Sequence, residues 1–449
     1  MIINEKSKKI LELAIPATVE NILQALVGFI DTLMISRIGL IAVTAVGISN
    51  NILAVYLAVF IALGVGTSSL ISRYLGGGKA DDAKKIAIQS IGLSIITGVI
   101  FGFITIIFGR QLLGIMGAEG EVIENASLFF YIVGSTSVFI SIITVFGSIL
   151  RATGDTKSPM FVNTAVNILN VIIDYVLIFG LGPIPPMGIT GTAIGTVVAR
   201  LFGSILMFSK IKKTNIAFKF SEVFKQSNYK ELIELSIPAA LERLVMRLGQ
   251  VVYFGLIVSI GVKTYAAHTI AGNIESFTYM PGYGLTTAAS ILVGNSFGSG
   301  NRNEAYEYGT LAVKIGAIIM AFGGIVLYFG CPWFATWFTQ DIDAIAKIKT
   351  ALRIDAFTQI PLSVSLIFAG ALQGLGDTKT PFYSTTIGMW GIRVLGVYIL
   401  GVKLNMDIAG VWLSILIDIT IRAIFLTIRF RNKTLKNYKV CNTNAIEKE

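Results

Sequence analysis

Histidine, cysteine and charge are all scarce in this sequence. His268 is the single histidine, and Cys331 and Cys441 are the two cysteines, in 449 residues. One imidazole and two separated thiols do not assemble a zinc site of ordinary type. There is no Ser/His/Asp arrangement and no haem or flavin signature. The one phosphate-loop-like run, GGGK at Gly76–Lys79, lacks the GxxxxGK(S/T) spacing that cradles a nucleotide. No loop is long enough to hold an ATP-hydrolysing domain. These absences argue against an integral-membrane enzyme. They leave an ion gradient as the energy source for any work the protein does. Charged residues make up 14% of the chain, where soluble proteins run at about 25%, so a soluble enzyme is excluded as well. A net charge of +10 would suit nucleic acid only if the basic residues were clustered, and they sit in alternate loops.

What the chain does have is length in apolar runs. The stretch Leu11 to Gly39, LELAIPATVENILQALVGFIDTLMISRIG, can cross a bilayer and carries Asp31 well inside it. A carboxylate at mid-depth costs at least ~2.5–3.5 kcal/mol on insertion scales, which makes it a candidate functional group. The stretch also recurs. LELAIPATVE at Leu11–Glu20 returns as IELSIPAALE at Ile233–Glu242, and Pro238 minus Pro16 is 222. The offset holds without a gap: Gly39 to Gly261, Asn51 to Asn273, Gly76 to Gly298, Arg200 to Arg422. The turn GDTKSP at Gly154–Pro159 returns as GDTKTP at Gly376–Pro381. A duplication this regular predicts two structurally equivalent halves.

Twelve spans are expected by apolar length. The first half gives roughly 11–35, 44–72, 86–108, 124–149, 160–181 and 189–209. The second gives roughly 231–257, 266–293, 310–330, 349–371, 381–401 and 408–430. The fold class is therefore all-α integral membrane. The domains are an N-terminal lobe at 1–209, a cytoplasmic linker at 210–230, and a C-terminal lobe with a cytoplasmic tail at 231–449. Lys and Arg gather in one set of loops, which include Lys6, Lys84, Arg151, Lys212 and Arg431. By the positive-inside rule that set is cytoplasmic, and both termini with it. The first apolar run is too long for a cleaved signal peptide. Because six is even, the halves enter the membrane in the same direction, and a pseudo-two-fold axis along the membrane normal follows. This topology puts Cys331 and Cys441 on opposite sides of the membrane. Pro281 and Pro361 lie deep in their spans and are expected to kink them. Gly98–Gly102 and Gly191–Gly195 are small-residue spacings that permit close helix contact.

The fifth span carries a polar stripe. Asn163, Asn167, Asn170 and Asp174 fall at i, i+4, i+7 and i+11, one face of a 3.6-residue helix. Their counterparts 222 residues on are Thr385, Met389, Ile392 and Gly396, and Asp31 corresponds to Tyr253. The stripe thus belongs to one half only. At 1.5 Å per residue, Asp31 lies about 30 Å, and Asp174 about 21 Å, along helices that start inside. Both fall in the outer half of the membrane, as does Thr192 at the start of the sixth span. Asp31, Asn170, Asp174 and Thr192 form the expected cation-coupling site. Two close carboxylates do not both ionise cheaply, so they share a proton or hold Na⁺. The second half has its own intramembrane charges, among them Glu242, Glu275, Asp355, Arg393, Asp418 and Arg422. Neutralising pairs are the default for such groups, with Glu275 and Arg393 as one candidate pair. Asn163, Asn167, Glu275, Arg393 and Asp355 are candidates for a charge network or for contact with substrate.

Several of these residues together resemble the multidrug and toxic compound extrusion (MATE) family. They are the early IPA with an acid four residues on, the Asp fifteen residues after Pro16, AAHTIAG, MPGYG, LVGNSFGSGN and the two GDTK(S/T)P turns. The resemblance covers nearly the whole chain. It implies twelve helices in two six-helix lobes and H⁺- or Na⁺-driven export of small organic compounds, cationic or amphiphilic. It implies a multi-pass monomer of the cell membrane, in contact with lipid but not nucleic acid, with no cofactor beyond the coupling ion. Asp31, Asn170, Asp174 and Thr192 match the acidic N-lobe site of the DinF-like branch. The acids that the NorM-like branch uses in its seventh and tenth spans correspond here to Met246 and Leu362. A flippase of lipid-linked oligosaccharides, related in fold, is the alternative.

Overall fold

A computed structural model describes residues 5–225 and 228–436; Cys441 and the end of the tail lie outside them. The described residues form helices and no sheet. In a bilayer an unpaired backbone group finds no water, and a helix satisfies every such group within itself. The helices are α1 (Glu5–Ser36), α2 (Leu40–Gly76), α3 (Ala80–Ile115), α4 (Gly120–Ser135), α5 (Ser137–Ala152), α6 (Lys157–Phe179) and α7 (Ile189–Ile211). After a short 3₁₀ turn at Phe220–Lys225 follow α8 (Lys230–Ile260), α9 (Val262–Gly298), α10 (Arg302–Thr336) and α11 (Ile342–Gly374). The chain ends with α12, which starts as an α-helix at Lys379–Thr386 and runs on with π-type turns as one span to Lys403, and α13 (Asp407–Arg431).

Among the described residues, ten single helices are long and apolar enough to span a membrane, and α4 with α5 makes an eleventh. The twelfth is α9, 37 residues long and outside that apolar set. The protein is thus a twelve-span, all-α membrane protein. One span differs from expectation. The run at 124–149 is two helices, bent by 48° at Thr136. A row of three hydroxyls lies at the bend. Thr136 Oγ1 donates to Ile132 O at 2.9 Å, Ser137 Oγ to Gly134 O at 2.6 Å and Ser135 Oγ to Ile132 O at 3.4 Å. Such back-bonding competes with the helix ladder. Pro281 and Pro361, by contrast, sit inside helices that run on uninterrupted.

The chain divides into two compact units. One, the C-terminal unit, comprises Met1–Thr18, Ser72–Gly78 and Leu241–Glu449, and the other, the N-terminal unit, comprises Val19–Ile71 and Lys79–Ala240. The divisions in α1 and α8 fall at equivalent places, since 240 minus 18 is 222. The start of α1, with Ile10 and Ala14, packs in the C-terminal unit against Leu285 and Ala288 of α9. The start of α8 packs in the N-terminal unit, where Ser236 and Leu232 close over Gly66 of α2.

Side-chain contacts repeat with the same offset. In the N-terminal unit Glu20 accepts from Arg151 Nη1 at 3.2 Å and from Asn163 Nδ2 at 2.6 Å. In the C-terminal unit Glu242 accepts from Gln373 Nε2 at 3.5 Å and from Thr385 Oγ1 at 3.0 Å. Each residue of the second set is its counterpart plus 222. The repeated turns also match. Gly154 and Gly376 have φ of +88° and +81°, where a side chain is strained. Asp155 Oδ1 then accepts from Ser158 N at 2.8 Å, and Asp377 Oδ1 from Thr380 N at 3.0 Å, capping the next helix.

The closest helix approach in the C-terminal unit is reciprocal. A Cβ on Gly76 would strike the backbone carbonyl of Asn295, and one on Gly298 that of Arg73. Gly76 with Gly298, and Arg73 with Asn295, are again 222 apart. No rotamer change relieves a clash with backbone. Gly298→Val is therefore expected to lower stability by about 1–3 kcal/mol, read as a fall in melting temperature in detergent. Gly300→Ala, two residues on with open space around it but φ of +82°, tests strain without overpacking and is expected to cost less.

Candidate cation site in the N-terminal unit

Three helices of the N-terminal unit bring the candidate residues together. Asp174 lies on α6, and its Oδ1 accepts from Asn170 Nδ2, one turn earlier, at 3.1 Å. Helix α7 crosses α6 through its glycines. Gly191 meets the backbone of Leu177, and a Cβ on Gly195 would collide with Asp174 Oδ1. Gly195, which looks in the sequence like a packing residue, makes room for the carboxylate. Thr192, one turn before it, is buried, as is Asp174. Asp31 on α1 lies within electrostatic reach of Asp174.

Among the described residues, three buried oxygens here have no hydrogen-bond partner: Asp31 Oδ1, Asp174 Oδ2 and Thr192 Oγ1. A buried acceptor without a partner costs about 1–3 kcal/mol, more for a charged group, and such an atom is satisfied by water, a proton or a cation. The donor set is hard oxygen, which fits H⁺ or Na⁺ and not a soft metal. Gly195→Ala tests the packing of the site without touching a charge. It is expected to lower export to the level of Asp174→Asn, while protein yield stays near that of the parent.

The rest of the stripe points elsewhere. Asn163 is bound to Glu20, which is also paired with Arg151. This ionic cluster lies 11 residues before Asp174 on the same helix, and Glu20 was its legible half, recurring as Glu242. Asn167 is half-buried between the two groups.

The corresponding region of the C-terminal unit lacks these acids and carries an arginine. Tyr253 stands where Asp31 does. Beside it is the Arg393 guanidinium, 5.9 Å from the ring centroid. Arg393 corresponds to Val171, next to Asn170. The expected pair of Glu275 with Arg393 is not the one that forms. Arg393 Nε donates to Asp418 Oδ2 at 2.9 Å, and Arg422 Nη2 reaches the same oxygen at 2.9 Å. Asp418 is fully buried on α13 and also holds Arg422, one helical turn away. Glu275 remains within electrostatic reach of Arg393, and its carboxyl contacts Asp355. His268 is enclosed by aromatic rings, with Tyr253, Phe254 and Trp412 at 5.8, 5.6 and 5.5 Å. Met246 and Leu362 pack against the apolar core of the unit.

Twelve membrane spans, a duplicated core and intramembrane carboxylates define a membrane transporter built from two repeats. The MatE family model matches residues 16–176 and again 238–399, in register with the offset of 222. A probable multidrug resistance protein NorM of Thermotoga maritima is 30% identical over 93% of this chain and 91% of its own. The uncharacterized transporter YisQ of Bacillus subtilis is 29% identical over 96% and 95%. Among solved structures, a MATE transporter in the bent conformation superposes with a TM-score of 0.90 at 23% identity, over 97% of each chain. A transporter of the MOP superfamily from Pyrococcus furiosus gives 0.89 at 24%, over 96% of each chain. The chain belongs to the MATE family. It is a multi-pass membrane transporter and not an enzyme.

Proposed function

We propose that this protein is an antiporter that exports small organic cations or amphiphiles, by alternating access, in exchange for H⁺ or Na⁺. It works in the cell membrane with both termini in the cytoplasm, as a monomer surrounded by lipid and without a cofactor. The observation that carries this reading is the set of donor-less buried oxygens on Asp31, Asp174 and Thr192. A cation entering from outside binds there, neutralises the carboxylates and lowers the cost of burying them. Substrate leaves as the site fills, and the cation is released to the inside. Relatives named as multidrug resistance proteins support the class of substrate. The residues favour the DinF-like pattern, because Asp31 and Asp174 are present while Met246 and Leu362 replace the NorM-like acids.

The test is transport of ethidium by the purified protein in liposomes, with H⁺ and Na⁺ gradients imposed separately. Ethidium movement against its own gradient under one of the two supports the reading. Movement under neither, with the protein folded and correctly inserted, contradicts it.

A further inference from the structure

The C-terminal unit contains a second pair of carboxyl groups. Glu275 on α9 and Asp355 on α11 lie within electrostatic reach of one another. Two carboxylates offer only acceptors to each other, so a hydrogen bond between them requires that one carry a proton. Asp355 is fully buried. Gln359, one turn further along α11, donates Nε2 to Asp355 Oδ2 at 2.7 Å. No N–H or O–H of the described residues donates to Asp355 Oδ1. Gln359 Oε1, in a side chain that is also fully buried, has no partner either.

The surrounding charges do not neutralise the pair. Arg393 on α12 gives its hydrogen bonds to Asp418, which also holds Arg422. Helix α8 contributes Tyr253, Arg243 and the exposed Arg247, whose Nη1 donates to Gln250. Helix α9 contributes His268, Tyr279 and Tyr283. Glu242 is occupied by Thr385 and Gln373. None of these residues donates a hydrogen bond to the free oxygen of Asp355.

We propose that Glu275 and Asp355 form a proton-binding site in the C-terminal unit, one proton held between two carboxyl groups and steadied by Gln359. It is a different site from Asp31 and Asp174 and does not rest on the role given to them. When the proton leaves, the pair holds two negative charges beside Arg393. The guanidinium then divides its donors between Glu275 and Asp418.

Infrared difference spectroscopy of the full-length protein, in H₂O and D₂O, reads the proton directly through the carboxylic acid C=O band. Wild type and the Asp31→Asn/Asp174→Asn double variant are expected to show the band of this pair. Glu275→Gln and Asp355→Asn are each expected to lose it. Gln359→Leu keeps both carboxyls, removes only the donor to Asp355, and is expected to shift the band; it serves if the acid variants fold poorly. Bands unchanged in Glu275→Gln and Asp355→Asn, or in Gln359→Leu, would overturn the proposal. So would loss of the band in the Asp31/Asp174 variant. None of these outcomes depends on whether ethidium transport is coupled through Asp31.

Discussion

Asp31→Asn is expected to reduce gradient-driven ethidium export in liposomes by about ten- to a hundredfold, the usual span of a coupling free energy. At low concentration of the coupling cation, ethidium binding at equilibrium should stay within a factor of about two of the parent, because differential affinity, not affinity itself, is lost. Asp174→Asn should behave alike, since Asp174 and Asp31 face one another's charge and each has a donor-less oxygen. Asparagine preserves shape and one acceptor but takes no proton and carries no charge. The effect should therefore be uncoupling and not misfolding. Asn163→Ala should be milder, because Asn163 serves Glu20. Export at the parental rate by Asp31→Asn under either gradient would remove Asp31 from the coupling site.

The largest expected effect on stability comes from Asp418→Thr. Asp418 is fully buried and holds Arg393 and Arg422 at 2.9 Å each. Removing it strands two guanidinium groups inside a membrane span, at a cost of about 3–5 kcal/mol. Monodisperse protein in detergent should nearly vanish. The repeat supplies the compensating change. The counterparts of Arg393, Asp418 and Arg422 are Val171, Thr196 and Arg200, so the N-terminal half has one cation where the C-terminal half has a triad. The double variant Arg393→Val/Asp418→Thr copies that arrangement and should recover most of the loss. A double variant no better than Asp418→Thr alone would mean that the triad does not set the stability of this region.

How far the molecule can be read from its residues depends on whether the relevant property is periodic. The twelve spans and the register of 222 were legible because apolar length and a gapless repeat are one-dimensional properties. The contacts of Glu20 and Glu242 recur at that spacing. The bend at Thr136 was not legible. Ser135, Thr136 and Ser137 interrupt an apolar run only mildly in composition, and the bend depends on which carbonyls their hydroxyls reach. In the candidate site, the spacing of Asn170 and Asp174 predicts a shared face, and the two are hydrogen-bonded. The role of Gly195 was hidden, because a glycine that admits a carboxylate looks the same as one that admits a helix. Arg393 and Asp418 were visible as charges 25 residues apart, but the sequence does not say which acid an arginine meets across a helix interface. Asp418 and Arg422, at i and i+4, were the part of the triad that helical spacing does reveal.

The central claim is thermodynamic linkage between cation and substrate through Asp31 and Asp174. It is tested most directly by ethidium binding to the purified protein, followed by fluorescence as H⁺ or Na⁺ is raised. Binding of one ligand must weaken the other by the same factor in both directions. In wild type, ethidium affinity should fall about tenfold or more as the coupling cation is added. In the Asp31→Asn/Asp174→Asn variant it should stay constant across the same range. An equal fall in both proteins would contradict the assignment and move the coupling site elsewhere in the chain.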